Sequence, residues 1–207
     1  LEYRGANEHM DEEDIDWKDL KSKWIYIDSI WGNIKLLERI FDWAENNGVK
    51  IVFNPDQKLI RMGKDIYKYI ERADIFIANE DEYAFITEIE YDEEKEEKIF
   101  QEIKSIAKGI VVMTKGPRGV IAADKKNIYS AGVPDSPVVD RTGAGDAFGS
   151  GFVSGYIQSG GDMESAIHFG IANATSVVKY FGTKKGLLKK DDRHNFNKVE
   201  IKTYKIV

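Results

Sequence analysis

The chain has 207 residues, 42% of them hydrophobic and 12% aromatic, a size and apolar content that suit one folded domain over residues 1–207 with disorder confined to the ends. A net charge of −6 lacks the concentrated excess of Lys and Arg that marks a nucleic-acid footprint. The chain has no cysteine, which excludes disulfides, thiolate nucleophiles and Cys-based zinc sites, and no run reaches the roughly 18 apolar residues of a membrane span. The expectation is a cytoplasmic protein with neither nucleic acid nor membrane as a partner.

In chain order, LEYRGANEHM reads like the middle of a protein, so a portion upstream of Leu1 is expected. WIYIDSI (24–30) reads as a strand. NIKLLERIFDWAENNG (33–48) places Ile34, Leu37, Ile40, Phe41 and Ala44 at helical spacing and stops at Gly48. VKIVFNP (49–55) is a second strand ended by Pro55, GKDIYKYIERA is weakly helical, and ADIFIANEDE is a strand running into polar residues at Asn79. A helix over 93–109 precedes the strand IVVMTKG (110–116). Strands alternating with helices predict βαβ units and a mainly parallel sheet, whose ligands bind at the carboxyl ends of the strands, here NP, ANEDE and TKG. GVIAADKKNIYSAGV reads as a hairpin pair, AFGSGFVSGYIQSG and DMESAIHFGIANATSVVKYFG as two helices with Gly182 capping the second, and KVEIKTYKIV as a final edge strand.

VVDRTGAGDAF (138–148) carries the sharpest chemistry. Gly143, Ala144 and Gly145 precede a helix, so unpaired N–H groups and the positive end of the dipole face outward as an anion site. Asp146 then either complements the dipole or accepts a proton from a hydroxyl attacking a bound phosphate, and the residues alone leave both roles open. The spacing fits neither a dinucleotide fingerprint nor a P-loop. TKGPRG offers Thr114, Gly116 and Gly119 to a ligand or to a plain tight turn. Asn79 and Glu82 stand three apart as an N-cap pair or a polar ligand pair. Ile171 and Asn173 lie on an apolar helix whose default is core packing. Lys184, Lys185, Lys189 and Lys190, followed by Asp191 and Asp192, read as solvated surface, and His9, His168 and His194 show no ligand spacing.

In order and spacing, NP, N-x-x-E, T-K-G-x-x-G and D-R-T-G-A-G-D resemble the ribokinase/PfkB family of carbohydrate kinases, from YRGAN to about Gly186. The resemblance implies a ribokinase-like three-layer α/β/α sandwich and transfer of the γ-phosphoryl group of ATP to a hydroxyl of a sugar or sugar-like substrate. Asp146 matches the catalytic base and the backbone of Gly143, Ala144 and Gly145 the anion hole. Asn79 and Glu82 match the motif used near Mg2+, Thr114, Gly116 and Gly119 the phosphate and ribose lining, and Ile171 and Asn173, with the segment 133–138, the surroundings of adenine.

Asp140 and Thr142, with carbonyls around Val177, Tyr180 and Gly182, fall where many members hold K+. Arg141 and Gly186 depart from that pattern. Arg4 and Asn7 in YRGAN either reach the substrate or only fix a turn. The family's early substrate-recognition strand and lid lie upstream of this sequence, so the chain reads as the C-terminal two-thirds of such a kinase. Pairing of two chains is a further expectation. A nucleoside kinase of the same family and a non-catalytic nucleotide-binding remnant stand as alternatives.

Overall fold

A computed structural model describes residues 9–189, 192 and 198–206, so that Arg4, Asn7, Lys190, Asp191 and His194 lie outside the described residues. The chain divides into two compact units, Leu1–Met113 and Thr114–Val207.

The first unit is built of strand–helix repeats. Strand β1 (Trp24–Ile27) leads to helix α1 (Ile34–Asn47), β2 (Lys50–Phe53), a short α2 (Gln57–Ile60), α3 (Tyr67–Arg72), β3 (Ile75–Asn79), α4 (Glu80–Thr87), α5 (Glu96–Ile106) and β4 (Ile110–Thr114), whose last residue opens the second unit. The strands lie in the order β1-β2-β3-β4. β1 and β2 run parallel with Trp24 opposite Lys50, and β2 and β3 run parallel with Val52 opposite Ile75. β3 and β4 are continuous apolar runs because parallel strands are covered on both faces, and Ile75 to Ala78 and Ile110 to Met113 are buried accordingly.

Helix α1 forms where its spacing predicts. The Asn33 side chain accepts from the Leu36 N–H, and Gly48 ends the helix at a φ of 64°. Its buried stripe is Leu36, Leu37, Ile40, Phe41 and Ala44, while Ile34, expected on that face, is 37% exposed. Phe41 meets Phe53 edge-on at 5.6 Å, Phe53 meets Phe76 at 6.0 Å, and Phe76 meets Tyr83 at 5.5 Å, so an aromatic row runs through the core from α1 to α4. Each such ring removed from water contributes about 1.5–3 kcal/mol.

Pro55 ends the second strand segment as expected, but the role of the acid beside it is invisible to apolar periodicity. Asp56, only 8% exposed, caps α2 by accepting from the N–H groups of Lys58 (2.9 Å) and Leu59 (3.1 Å). Its second oxygen accepts from Ile30 (3.1 Å) and Gly32 (3.2 Å) in the loop after β1. One carboxylate thereby ties the carboxyl-end loops of two neighbouring strands.

The second unit holds β5 (Val120–Ala123) and β6 (Asn127–Ala131), an antiparallel hairpin with Val120 opposite Ala131, and β7 (Ile201–Lys205), antiparallel to β6 as the expected edge strand. Helices α6 (Ala144–Gln158) and α7 (Met163–Val177) complete it. α6 starts at Ala144 rather than at the apolar Ala147, and α7 ends at Val177, well before Gly182. The two helices lie close because Gly151 and Gly155 face α7. A Cβ on Gly151 would sit 2.9 Å from the Phe169 carbonyl oxygen, and one on Gly155 3.0 Å from that of Ser165.

Replacing Asp56 by Ala strands four backbone donors and is expected to lower the unfolding free energy by about 3 kcal/mol, with Asp56→Asn losing roughly half as much. Urea denaturation checks this, and an unchanged midpoint for the Ala variant would contradict it.

Candidate active site

At the carboxyl ends of the first unit's strands, polar side chains hold the loops in place. Asn54, the residue of NP, donates its amide to the Ile77 carbonyl (3.0 Å) and accepts from the Tyr26 hydroxyl (3.4 Å), joining the ends of β1, β2 and β3. Asn79 and Glu82 form a reciprocal capping box at the start of α4. The Glu82 N–H donates to Asn79 Oδ1 (2.9 Å) and the Asn79 N–H to Glu82 Oε2 (2.8 Å). The capping role foreseen as one alternative is therefore what the geometry displays.

In the second unit, TKGPRG is a closed turn. Lys115 donates to the Gly119 carbonyl (2.8 Å), Arg118 to that of Lys115 (3.0 Å), and residues 116–118 make one 3-10 turn around Pro117. Gly119 has a φ of 97°, and any Cβ there would overlap the Ala131 carbonyl of β6, so its glycine is demanded by strand packing. Gly116, at a φ of 51°, faces open space. Thr114 ends β4 half-buried.

The D-R-T-G-A-G-D loop is organised by Asp140. Its Oδ1 accepts from the Thr142 N–H (2.9 Å) and hydroxyl (2.7 Å), and its Oδ2 from the Gly182 N–H (3.1 Å). These bonds, the Thr142 backbone first, then its side chain and the Gly182 backbone, hold the Asp140 carboxyl below the ordinary carboxylate range. The chain then turns at Gly143, with a φ of 78° and its α-carbon against Thr183, where a Cβ would lie 2.9 Å from the threonine Cβ. Ala144 donates back to the Arg141 carbonyl (3.1 Å), and Ala147 to that of Gly143 (2.9 Å). Among the described residues no acceptor is found for the N–H groups of Gly145 and Asp146. Asp146 is exposed in the first turn, and the space beside Gly145 is open. The arrangement presents two backbone donors and a carboxylate on one helix end, which suits an anion and a proton donor brought together.

Within the second unit, then, Asp140, Thr142, Gly143, Ala144, Gly145 and Asp146 share one loop and helix start, joined by Thr183, which sequence reasoning did not single out. Asn173 and Ile171 are buried instead. Asn173 is 4% exposed, donates to the Ala147 carbonyl (2.7 Å) and accepts from the Leu188 N–H (2.8 Å), the bonds of an internal strut. Of the groups expected at a K+ site, the Asp140 and Thr142 side chains are engaged by the loop itself, and the Val177 carbonyl receives the Tyr180 N–H (3.0 Å). At residue 186 a Cβ would lie 2.6 Å from the Ser176 carbonyl, so that position offers no side-chain ligand and the fit to a monovalent cation is poor. Asp56 was also missed, although an acid between Pro55 and an apolar pair is a helix-start signal. A cavity of about 540 Å3 in the first unit is lined by Arg61, Met62, Asp81, Phe85 and Glu88, among others. None of the expected site residues belongs to it. Among the described residues no helix is long and apolar enough to cross a membrane, and no three of His, Cys, Asp and Glu converge as a metal cluster.

The sequence profile of the family described as pfkB family carbohydrate kinase matches residues 1–190. A cytidine kinase of Thermococcus kodakarensis is 30% identical over 160 residues, covering 72% of this chain and 52% of the relative. A deoxyribokinase of Salmonella typhi is 25% identical over 190 residues, covering 87% and 59%. The chain thus spans a little over half the length of these relatives. Among solved structures, an Escherichia coli protein described as ribokinase II, in complex with ATP and Mg2+, superposes with a TM-score of 0.73 at 18% identity, covering 88% of this chain and 61% of that one. The fold is therefore the expected ribokinase-like α/β sandwich with a mainly parallel sheet.

The bonds to Asp140 make a pH prediction. A depressed folded pKa stabilises the loop at pH above the unfolded value of about 3.9, and that contribution is lost as pH falls through the folded value. In Thr142→Ala the Asp140 pKa is expected to rise toward the ordinary value in a carboxyl carbon NMR titration, and an unmoved titration would show that Thr142 does not set it.

Proposed function

Because the chain belongs to the pfkB family of carbohydrate kinases, we propose that it transfers the γ-phosphoryl group of ATP to a hydroxyl of a sugar or nucleoside, with Asp146 as proton acceptor. The observation that carries this reading is the exposed Asp146 carboxylate on the same helix turn as the N–H groups of Gly145 and Asp146, which have no acceptor among the described residues. A carboxylate so close to an anion site is repelled by the anion it faces unless a proton lies between them. An attacking hydroxyl supplies that proton.

In this mechanism the substrate oxygen attacks the γ-phosphorus, its proton passes to Asp146, and the bond from the γ-phosphorus to the bridging oxygen breaks to release ADP. Phosphoryl transfer requires little covalent chemistry from the protein, so positioning and charge stabilisation account for most of the rate. The first-turn N–H groups of α6 meet the charge that develops on the transferring oxygens, aided by the positive end of the helix dipole. Gly143 keeps that turn accessible, and Ala144, donating to Arg141, fixes its pitch.

Asn79 and Glu82 would hold Mg2+ through its waters, since a hard cation of this kind keeps much of its hydration shell. When bound, it neutralises charge on the nucleotide phosphates. Thr114 and the open backbone at Gly116 would line the phosphates and ribose, whereas Gly119 acts through the turn it permits. Val133 and Val138, 41% and 53% exposed, offer apolar surface to the base, whereas Ile171 and Asn173 are buried in the core. A sugar and a nucleoside acceptor are both compatible with relatives that include a deoxyribokinase and a cytidine kinase.

Asp146→Asn keeps the helix start but removes the proton acceptor. Its kcat is expected to fall by about 10²–10⁴-fold with the Kd for ATP changed less than about threefold, read by coupled ADP release and calorimetry. Wild-type turnover in this variant would remove Asp146 from the role.

A further inference from the structure

Helix α4 carries Asp81, Phe85 and Glu88 at intervals of four and three residues, a spacing that puts them on one face. Together with Arg61 and Met62 from the turn after α2, they line the cavity of about 540 Å3 in the first unit. Sites for small molecules commonly measure about 300–1,000 Å3, so the space is large enough for one. Glu88 is set in place by its surroundings. It ends α4 at a φ of 58°, a left-handed conformation usually given to glycine. Its carboxylate meets the turn at Gly63 and Lys64, where the Lys64 ammonium lies 3.8 Å away and a Cβ on Gly63 would come 3.3 Å from Glu88 Oε1.

Opposite charges share this cavity without closing on one another. Asp81, Glu88 and Glu90 line it beside the Arg61 guanidinium, yet no ion pair joins Arg61 to any of the three carboxylates. Among the described residues Arg61, Asp81 and Glu90 have no charged partner at all. The acids do not converge as a metal cluster among the described residues, and a guanidinium in the same space repels a bare cation. Phe85 is 52% exposed beside these charges, although phenylalanine is usually buried. The lining thus offers a positive group, several negative groups and an uncovered ring.

We propose that this cavity binds a free α-amino acid with an apolar side chain, its carboxylate on Arg61, its ammonium among Asp81, Glu88 and Glu90, and its side chain on Phe85 and Met62. A guanidinium presents paired N–H donors that match a carboxylate, and an ammonium has three donors to distribute over separate acceptors. An amine without a carboxylate leaves Arg61 unmatched, and a carboxylate without an amine meets three charges of its own sign. The apolar side chain takes the Phe85 ring out of water and adds dispersion contact. The site stands apart from the kinase reading, since none of the residues given a part in phosphoryl transfer lines it.

The test is calorimetric titration of the full chain with L-phenylalanine, L-leucine, 2-phenylethylamine and 3-phenylpropionate. One of the two amino acids is expected to bind with a Kd below about 1 mM. The amine and the acid, each lacking one charge, are expected to bind at least about tenfold more weakly, because each leaves a charged group of the site unmatched. Arg61→Gln changes an exposed side chain and keeps the fold; it is expected to weaken the amino acid about tenfold while 2-phenylethylamine stays within about threefold of wild type. Phe85→Ala is expected to weaken the amino acid about tenfold through lost contact area. Glu88→Gly, which suits the left-handed position, is expected to weaken it about fivefold. Failure of both amino acids to bind below about 1 mM, or 2-phenylethylamine binding as tightly as the amino acid, overturns the proposal. Wild-type affinity in Arg61→Gln overturns it as well, and if that variant does not fold, wild-type affinity in Phe85→Ala does so. Amino-acid binding by a chain that transfers no phosphoryl group would sustain this inference while refuting the kinase reading.

Discussion

The candidate site depends on residue 143 having no Cβ. The chain reaches α6 through a left-handed residue pressed against Thr183, and both the φ of 78° and the contact exclude a side chain. Any other residue would push the loop from Thr183 and with it the Gly182 N–H that Asp140 accepts. The direction in which the first turn of α6 faces is therefore set by packing on the residues 182–183, which are distant in sequence. An anion site made of backbone donors has no side chains to adjust, so its orientation must be fixed by the loop that delivers it.

The same economy recurs at other strand and helix ends. Asp56, Asp140 and the Asn79–Glu82 pair each use carboxylate or amide oxygens to hold backbone N–H groups, and each stands where a loop leaves a strand or enters a helix. Such groups satisfy donors that would otherwise be stranded and remove freedom from loops that must be rigid to position a ligand. A carboxylate engaged in this way is also less available as a metal ligand. That is why the geometry at Asp140 and Thr142 argues for loop construction.

Much of the fold was legible because apolar periodicity reports burial directly. The runs at 50–53, 75–79 and 110–114 are apolar because strands covered on both faces must be, and Gly48 stops α1 as its position predicts. Failures occurred where a residue's task is set by a distant neighbour. Asp56 reads as an ordinary turn residue until its partners in the preceding loop are known, and Thr183 is anonymous until it meets Gly143. The start of α6 was placed late because its first three residues are small and carry no apolar signal. Gly119 reads as a turn residue, and the structure adds that its missing side chain also admits the close approach of β6.

Asn173 lies on an apolar helix whose default is core packing, and the structure buries it. Its side chain does not face outward; it donates to the carbonyl of Ala147, the residue directly after Asp146, and accepts from Leu188 beyond the 182–186 loop. A buried amide with partners at both ends resists displacement, because moving it strands a donor and an acceptor in the core. It therefore links α6, α7 and the chain that returns past Gly186, and braces the first turn of α6 from behind while Gly143 and Thr183 brace it from the side. The carboxylate of Asp146 is free to project outward because the backbone carrying it is held on those two sides.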